Sequence, residues 1–175
     1  MEADEVLWRR SLTERLCKIA KESIMQKQMD IEKLLQEGNN ICIKPQGYSM
    51  YPVFVPGRDE AIIEPMTGKK ICRGDVVLYR RDKDVEYGGI LVLHRIWKVK
   101  KDGVYLVGDN QKEIEGPLRF DQIKGIMVGM NRKGTYISVK NPVYRILTGG
   151  WLWLRPVRPV ISKTVAAVKR LRKRK

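Results

Sequence analysis

Along this 175-residue chain the spacing of the hydrophobic positions changes twice, which predicts a helical start, a β-rich middle and a helical end. In residues 5–37, apolar side chains recur at helical spacing with charged residues between them. A separate second helix is expected to begin at Asp30, a candidate N-cap, and to be closed by Gly38.

The middle of the chain predicts short strands, because runs of apolar and β-branched residues alternate with Gly-, Pro- and Asp-containing turns. The predicted strands are 41–44, 60–64, 75–80, 90–98, 104–107, 125–131 and 135–139. Short strands at this density predict a mainly β fold, a small barrel or sandwich of antiparallel strands with N-terminal and C-terminal helices. The expected division is a helical region at 1–40, a β domain at 41–140 and a basic amphipathic tail at 141–175.

The C-terminal part returns to a helical pattern. A helix is predicted over 142–154, which includes Trp151 and Trp153, and an apolar stripe at helical spacing follows from Val157 to Leu171. Tryptophans beside a basic amphipathic helix are typical of a membrane interface, although the same stripe also fits core packing.

The net charge of +15 is concentrated in that end of the chain. No acidic residue follows Asp121, whereas 14 lysines and arginines do. Such a tail favours an anionic partner, and we expect a lipid surface rather than nucleic acid. The alternative interpretation is a solubilising end without a partner.

A serine, a histidine and an aspartate in the predicted β domain are the residue types that a hydrolase uses. Ser49 lies in a turn-rich segment, the single histidine His94 lies in an apolar predicted strand, and Asp109 follows another short strand. A serine hydroxyl is a weak nucleophile at pH 7 and needs a base, and an imidazole suits that role because it titrates near neutral pH. Taken singly, these residues also fit turn and core positions; their combination favours a hydrolase. The three cysteines show no metal-ligand spacing, and with a single histidine no metal site is expected.

Four segments, in this order, resemble the type I signal peptidase family, the serine endopeptidases with a Ser-Met-x-Pro box. The matching segments are 49–52 (Ser-Met-Tyr-Pro), 73–77 (Arg-Gly-Asp-Val-Val), 94–96 (His-Arg-Ile) and 108–110 (Gly-Asp-Asn). The resemblance implies a signal-peptidase-like β fold and cleavage of a signal or leader peptide after small residues, by acyl transfer without a cofactor.

The resemblance also implies roles for individual residues. Ser49 matches the nucleophile, and His94 matches the general base of the branch that has histidine where many bacterial members have lysine. The acid that orients the base is either Asp109, within the family's box, or Glu115, a few residues beyond it, with Asp109 slightly preferred. Gly47 departs from the pattern, because some members have there a hydroxyl residue that serves as a second oxyanion donor.

A second departure concerns the membrane anchor that the family usually has before the nucleophile box. Residues 1–5 are acidic and polar, and no window reaches the roughly 20 apolar residues of a membrane span. We therefore expect peripheral membrane association through the basic tail, and otherwise a cytoplasmic location.

Two other functions are compatible with the same features. A self-cleaving regulator of the phage-repressor type would use a Ser–Lys pair and an Ala-Gly or Cys-Gly bond upstream of the serine, and neither dipeptide precedes Ser49. A non-catalytic module would use the basic tail to bind lipid or RNA, and the four segments would then be relics.

Overall fold

The computed structural model describes residues 23, 26–82 and 89–154. Helix α1 covers residues 26–36. The strands are β1 (Ile41–Ile43), β2 (Asp59–Pro65), β3 (Val76–Arg81), β4 (Ile90–Lys100), β5 (Gly103–Val107), β6 (Glu115–Leu118), β7 (Ile123–Arg132) and β8 (Thr135–Ser138). A 3-10 turn at Phe120–Gln122 precedes β7, and helix α2 (Pro142–Trp153) follows β8.

The eight described strands form one antiparallel sheet in the order β1-β2-β7-β3-β4-β5-β6, with β8 paired to β7. The predicted mainly β fold with flanking helices is therefore confirmed, although the sheet is open and does not close into a barrel. Strand β4 lies between β3 and β5, and its register pairs His94 with Val77, and Arg95 with both Val76 and Val107.

Alternation of side chains along the strands builds two apolar clusters. The first contains Leu35 of α1, and Met50 and Phe54 of the loop that follows β1. The second cluster consists of Val77, Tyr79, Ile96, Val104, Leu106 and Ile123. Neighbouring strand residues point to opposite faces, so His94 belongs to the face of Val77, and Arg95 to the face of Val76.

The structure corrects two local predictions. Asp30 lies inside α1 and does not cap a separate helix, although Gly38 does follow the helix end with a positive φ of 86°. Strand β6 was not predicted, because Gly116 and Pro117 within it are poor strand formers. The predicted C-terminal helix is confirmed as α2, whose first backbone N–H groups donate to the Asn141 side chain.

Candidate functional site

His94 lies at the centre of the sheet and is buried, with 1% of its surface exposed. Its Nδ1 atom is 3.2 Å from the Tyr79 hydroxyl oxygen and 3.4 Å from Glu115 Oε1. Tyr79 reaches this position because it lies two residues along β3 from Val77, the direct partner of His94, and therefore on the same face. Glu115 reaches it as the first residue of β6, opposite Leu106 of β5.

Glu115 is held by two other donors in addition to its contact with His94. The Tyr79 hydroxyl donates to Oε2 of Glu115, and Arg81 donates to both carboxylate oxygens, with Nε 2.9 Å from Oε2. Burial favours the neutral acid, but the hydrogen bonds from Tyr79 and Arg81 and the charges of His94 and Arg81 outweigh it and lower the pKa of Glu115. The carboxylate is therefore charged at neutral pH.

This network selects one tautomer of His94. An ionised carboxylate only accepts hydrogen bonds, so the Tyr79 hydroxyl donates its single proton to Glu115. The hydroxyl oxygen then presents a lone pair to Nδ1 of His94. Nδ1 must then carry the imidazole proton, since two facing lone pairs would repel. The basic lone pair of His94 is left on Nε2.

The imidazole is neutral at pH 7. Burial disfavours the charged ring and lowers the pKa of His94 to about 4; the charge of Glu115 opposes this shift, and that of Arg81 adds to it. The charge of Glu115 favours a protonated ring, but burial outweighs it and keeps the imidazole neutral.

Asp109 is the ion-pair partner of Arg95. Its carboxylate accepts two hydrogen bonds from Arg95, with Nε 2.8 Å from Oδ1 and Nη2 2.7 Å from Oδ2. Arg95 also donates from Nη1 to the Gly74 carbonyl oxygen at 2.7 Å, and the Trp151 indole donates to the Asp109 carbonyl oxygen at 2.9 Å. The Arg95–Asp109 pair therefore ties β4 to the Gly74 loop and to the segment after β5, and Trp151 of α2 binds that segment. The sequence-based preference for Asp109 over Glu115 as the partner of His94 is not supported by this geometry.

Ser49 is half-buried in a loop that the core fixes. Met50 and Phe54 are both buried, and the Phe54 N–H donates to the Met50 carbonyl oxygen at 2.9 Å. The Asn110 N–H donates to the Ser49 carbonyl oxygen at 2.7 Å. Within the described part of the chain, the Ser49 N–H donates to no other group, so it is available to an oxyanion.

Gly108 links this loop to His94. Val107 pairs with Arg95, so the antiparallel register, continued by one residue, sets Gly108 opposite His94. A Cβ atom added at Gly108 would lie 2.7 Å from the Ser49 carbonyl oxygen. Directly opposed residues direct their Cβ atoms to the same face, about 5 Å apart. The Ser49 carbonyl oxygen therefore lies close to the position opposite His94, while Met50 and Phe54 anchor the loop in the first apolar cluster, on the Val76 face of the sheet.

The four sequence segments are joined by this set of contacts: Ser49 to 108–110, Asp109 to Arg95, and Arg95 to Gly74. Among the contacts of the described residues, the Ser49 hydroxyl and His94 do not form a hydrogen bond. A nucleophile and its base commonly close to hydrogen-bond distance only when substrate binds.

Sequence reasoning missed Tyr79 and Arg81. The available signal was a tyrosine within an otherwise apolar strand, because a buried phenol nearly always needs a hydrogen-bond partner. Arg81 carried no comparable signal, since its role depends on β6, which was not predicted.

No family model matches this chain, and no curated protein matches it. In the described ranges, no group of three His, Cys, Asp or Glu side chains is arranged to hold a metal ion. None of the helices in those ranges is long and apolar enough to cross a membrane. The part of the predicted N-terminal helical region before residue 23, and the part of the predicted basic tail from residue 155 onward, lie outside the described residues.

Proposed function

We propose that this chain is a serine endopeptidase of the signal-peptidase type, with Ser49 as nucleophile, His94 as general base and Glu115 as the acid that orients the base. The observation that carries the proposal is the contact of His94 Nδ1 with Tyr79 and Glu115, 3.2 and 3.4 Å away, together with the close approach of the Ser49 backbone to Gly108. A buried, neutral imidazole with a charged carboxylate behind it is the arrangement that activates a hydroxyl.

In the proposed reaction, the Ser49 hydroxyl oxygen attacks the carbonyl carbon of the scissile peptide bond while His94 Nε2 takes its proton. The Ser49 N–H donates to the oxyanion. The imidazolium, stabilised by Glu115, then protonates the leaving amine as the C–N bond breaks. Water attacks the acyl-enzyme by the same route and releases the acid product and Ser49.

A groove that begins at the end of the nucleophile box supports a polypeptide substrate. It has a volume of about 600 Å³, starts at Pro52, the last residue of the nucleophile box, and at Val53, and continues along α2. Its other walls include the apolar side chains of Met130, Ile137 and Leu147. Such a surface suits the apolar segment of a signal or leader peptide. Peripheral attachment of the enzyme to an anionic membrane through the basic tail belongs to the same proposal.

Cleavage of a synthetic leader peptide by the purified full chain tests the proposal. Ser49→Ala and His94→Ala should abolish cleavage while the circular dichroism spectrum is unchanged. Ser138→Ala, which removes a serine of β8, is the matched control and should cleave at the wild-type rate. Cleavage by both active-site variants at the wild-type rate would refute the proposal and leave the non-catalytic module as the better interpretation.

The same preparations distinguish the self-cleaving regulator. Incubation of the purified chain alone should leave it intact by mass spectrometry. Two discrete fragments whose formation requires Ser49 would instead favour the regulator.

A further inference from the structure

Helix α2 exposes apolar side chains on the face that points away from the sheet. Ile146 is 73% exposed and Trp153 is 77% exposed, and their separation of seven residues places them on one face, two turns apart. Val143, 64% exposed, precedes Ile146 by three residues and borders the same face. We refer to these three residues as the α2 outer face.

The opposite side of α2 is apolar as well. Leu152 is buried against the rest of the fold, and Thr148 is buried with its hydroxyl hydrogen-bonded to the Tyr144 carbonyl oxygen at 2.8 Å. The only charged residue in the helix is Arg145. Large apolar residues on both the buried and the exposed side of one helix make the α2 outer face a candidate contact surface.

Positive charge lies along one side of this face. A cleft of about 720 Å³ runs along the Arg145 side of α2, and Lys70 and Lys140 also line it. Among the described residues, none of these three cations takes part in an ion pair. The acidic side chains in the cleft are Asp75 and Glu64, and Glu64 is already paired with Lys69. The cleft therefore has an uncompensated positive charge.

We propose that the α2 outer face lies flat on an anionic bilayer, with Ile146 and Trp153 at the boundary of headgroups and acyl chains and the cleft cations on lipid phosphates. The apolar residues match the acyl-chain boundary of such a surface, and the neighbouring cations match its anionic headgroups. Trp153 suits the headgroup depth, where an amphipathic indole is favoured. This surface lies in the first part of the predicted 141–175 tail, before the basic residues from 155 onward, and it does not depend on the peptidase chemistry.

A second copy of the chain is the other candidate occupant, but the charges disfavour it. A two-fold contact through α2 would bring the same cations of both copies together without an acid in the helix to offset them. Like charges facing each other across an interface are unfavourable.

Vesicle flotation of the full chain tests the proposal. Wild type should float with vesicles of phosphatidylcholine containing 30% phosphatidylglycerol and remain unbound with pure phosphatidylcholine. Ile146→Ser combined with Trp153→Ser should lower the partition coefficient by at least about tenfold, because two buried apolar side chains are lost. Phe120→Ser, at an apolar residue that is 54% exposed outside α2, is the matched control and should bind as wild type.

Two further measurements define the outcome. Brominated lipids should quench a part of the tryptophan fluorescence that disappears in Trp153→Phe. Lys70→Gln, Lys140→Gln and Arg145→Gln together should reduce the preference for phosphatidylglycerol. Unchanged flotation of the double serine variant, with no quenching assigned to Trp153, would overturn the proposal and leave the basic residues from 155 onward as the only lipid-binding segment. A dimer in light scattering that the double variant abolishes would also overturn it, in favour of a second copy.

Discussion

Arg95 and Asp109 form a buried, bidentate ion pair. Nε of Arg95 is 2.8 Å from Oδ1 of Asp109, and Nη2 is 2.7 Å from Oδ2. The pair stands directly beside the proposed base, since Arg95 follows His94 in β4, yet it points to the opposite face of the sheet. Its role is therefore to hold the loops around the site together, which is a structural role.

Asp109→Asn should destabilise the fold strongly. The substitution leaves the Arg95 guanidinium buried without its counter-charge, which typically costs about 3–5 kcal/mol. Urea unfolding followed by circular dichroism measures the change. Asp121→Asn, which breaks an exposed pair with Arg119, is the control and should leave the midpoint almost unchanged. Equal midpoints for the two variants would show that the buried pair does not support the fold.

Glu115→Gln should reduce activity without comparable loss of stability. The amide keeps the shape of the side chain but removes the charge that stabilises the imidazolium, so kcat/KM should fall by about 100-fold. Glu113→Gln, two residues earlier and exposed, is the matched control. If Glu115→Gln retained wild-type kcat/KM on the leader peptide, Glu115 would have no part in orienting His94.

The buried imidazole also predicts how stability depends on pH. The pKa of His94 is about 4 in the folded chain, against about 6.5 for an unperturbed histidine. Between these values the unfolded chain binds more protons than the folded chain, so stability falls as the pH decreases from about 6.5 to about 4. The contribution lost over the whole window is about 3 kcal/mol.

Urea unfolding of wild type and His94→Gln at pH 7 and pH 4.5 isolates this contribution, because glutamine does not titrate and the acidic residues are common to both. Wild type should lose more stability than the variant. Since the chain has a single histidine, an NMR titration of its imidazole reports His94 alone. A midpoint near 6.5 would contradict the buried, neutral base.

Gly108→Ala should damage the site more than Gly47→Ala, although both glycines lie next to it. A Cβ atom at Gly108 would lie 2.7 Å from the Ser49 carbonyl oxygen and 2.6 Å from Gln111 Oε1, whereas one at Gly47 would meet open space. The melting temperature and kcat/KM of Gly108→Ala should both fall, while Gly47→Ala should keep the wild-type melting temperature. Similar values for both variants would contradict the close approach of Ser49 to Gly108.

The sequence predicts most strands because their apolar runs are bounded by clear turn residues; the predicted 104–107, for example, corresponds to β5 at Gly103–Val107. The sequence does not predict β6, because Gly116 and Pro117 are poor strand formers although this strand pairs at the edge of the sheet. That failure also explains the choice between the two acids. The resemblance offers both Asp109 and Glu115, and without β6 no predicted strand pairing places Glu115 beside His94.

The central claim is that His94 activates the hydroxyl of Ser49. The most direct measurement is the rate at which a fluorophosphonate labels the full chain, with the modified residue located by mass spectrometry. The label should appear on Ser49 in wild type and in Ser138→Ala at the same rate, and should form about 100-fold or more slowly in His94→Ala. Labelling of Ser49 at an equal rate with and without His94, or no labelling of Ser49 in wild type, would contradict the claim.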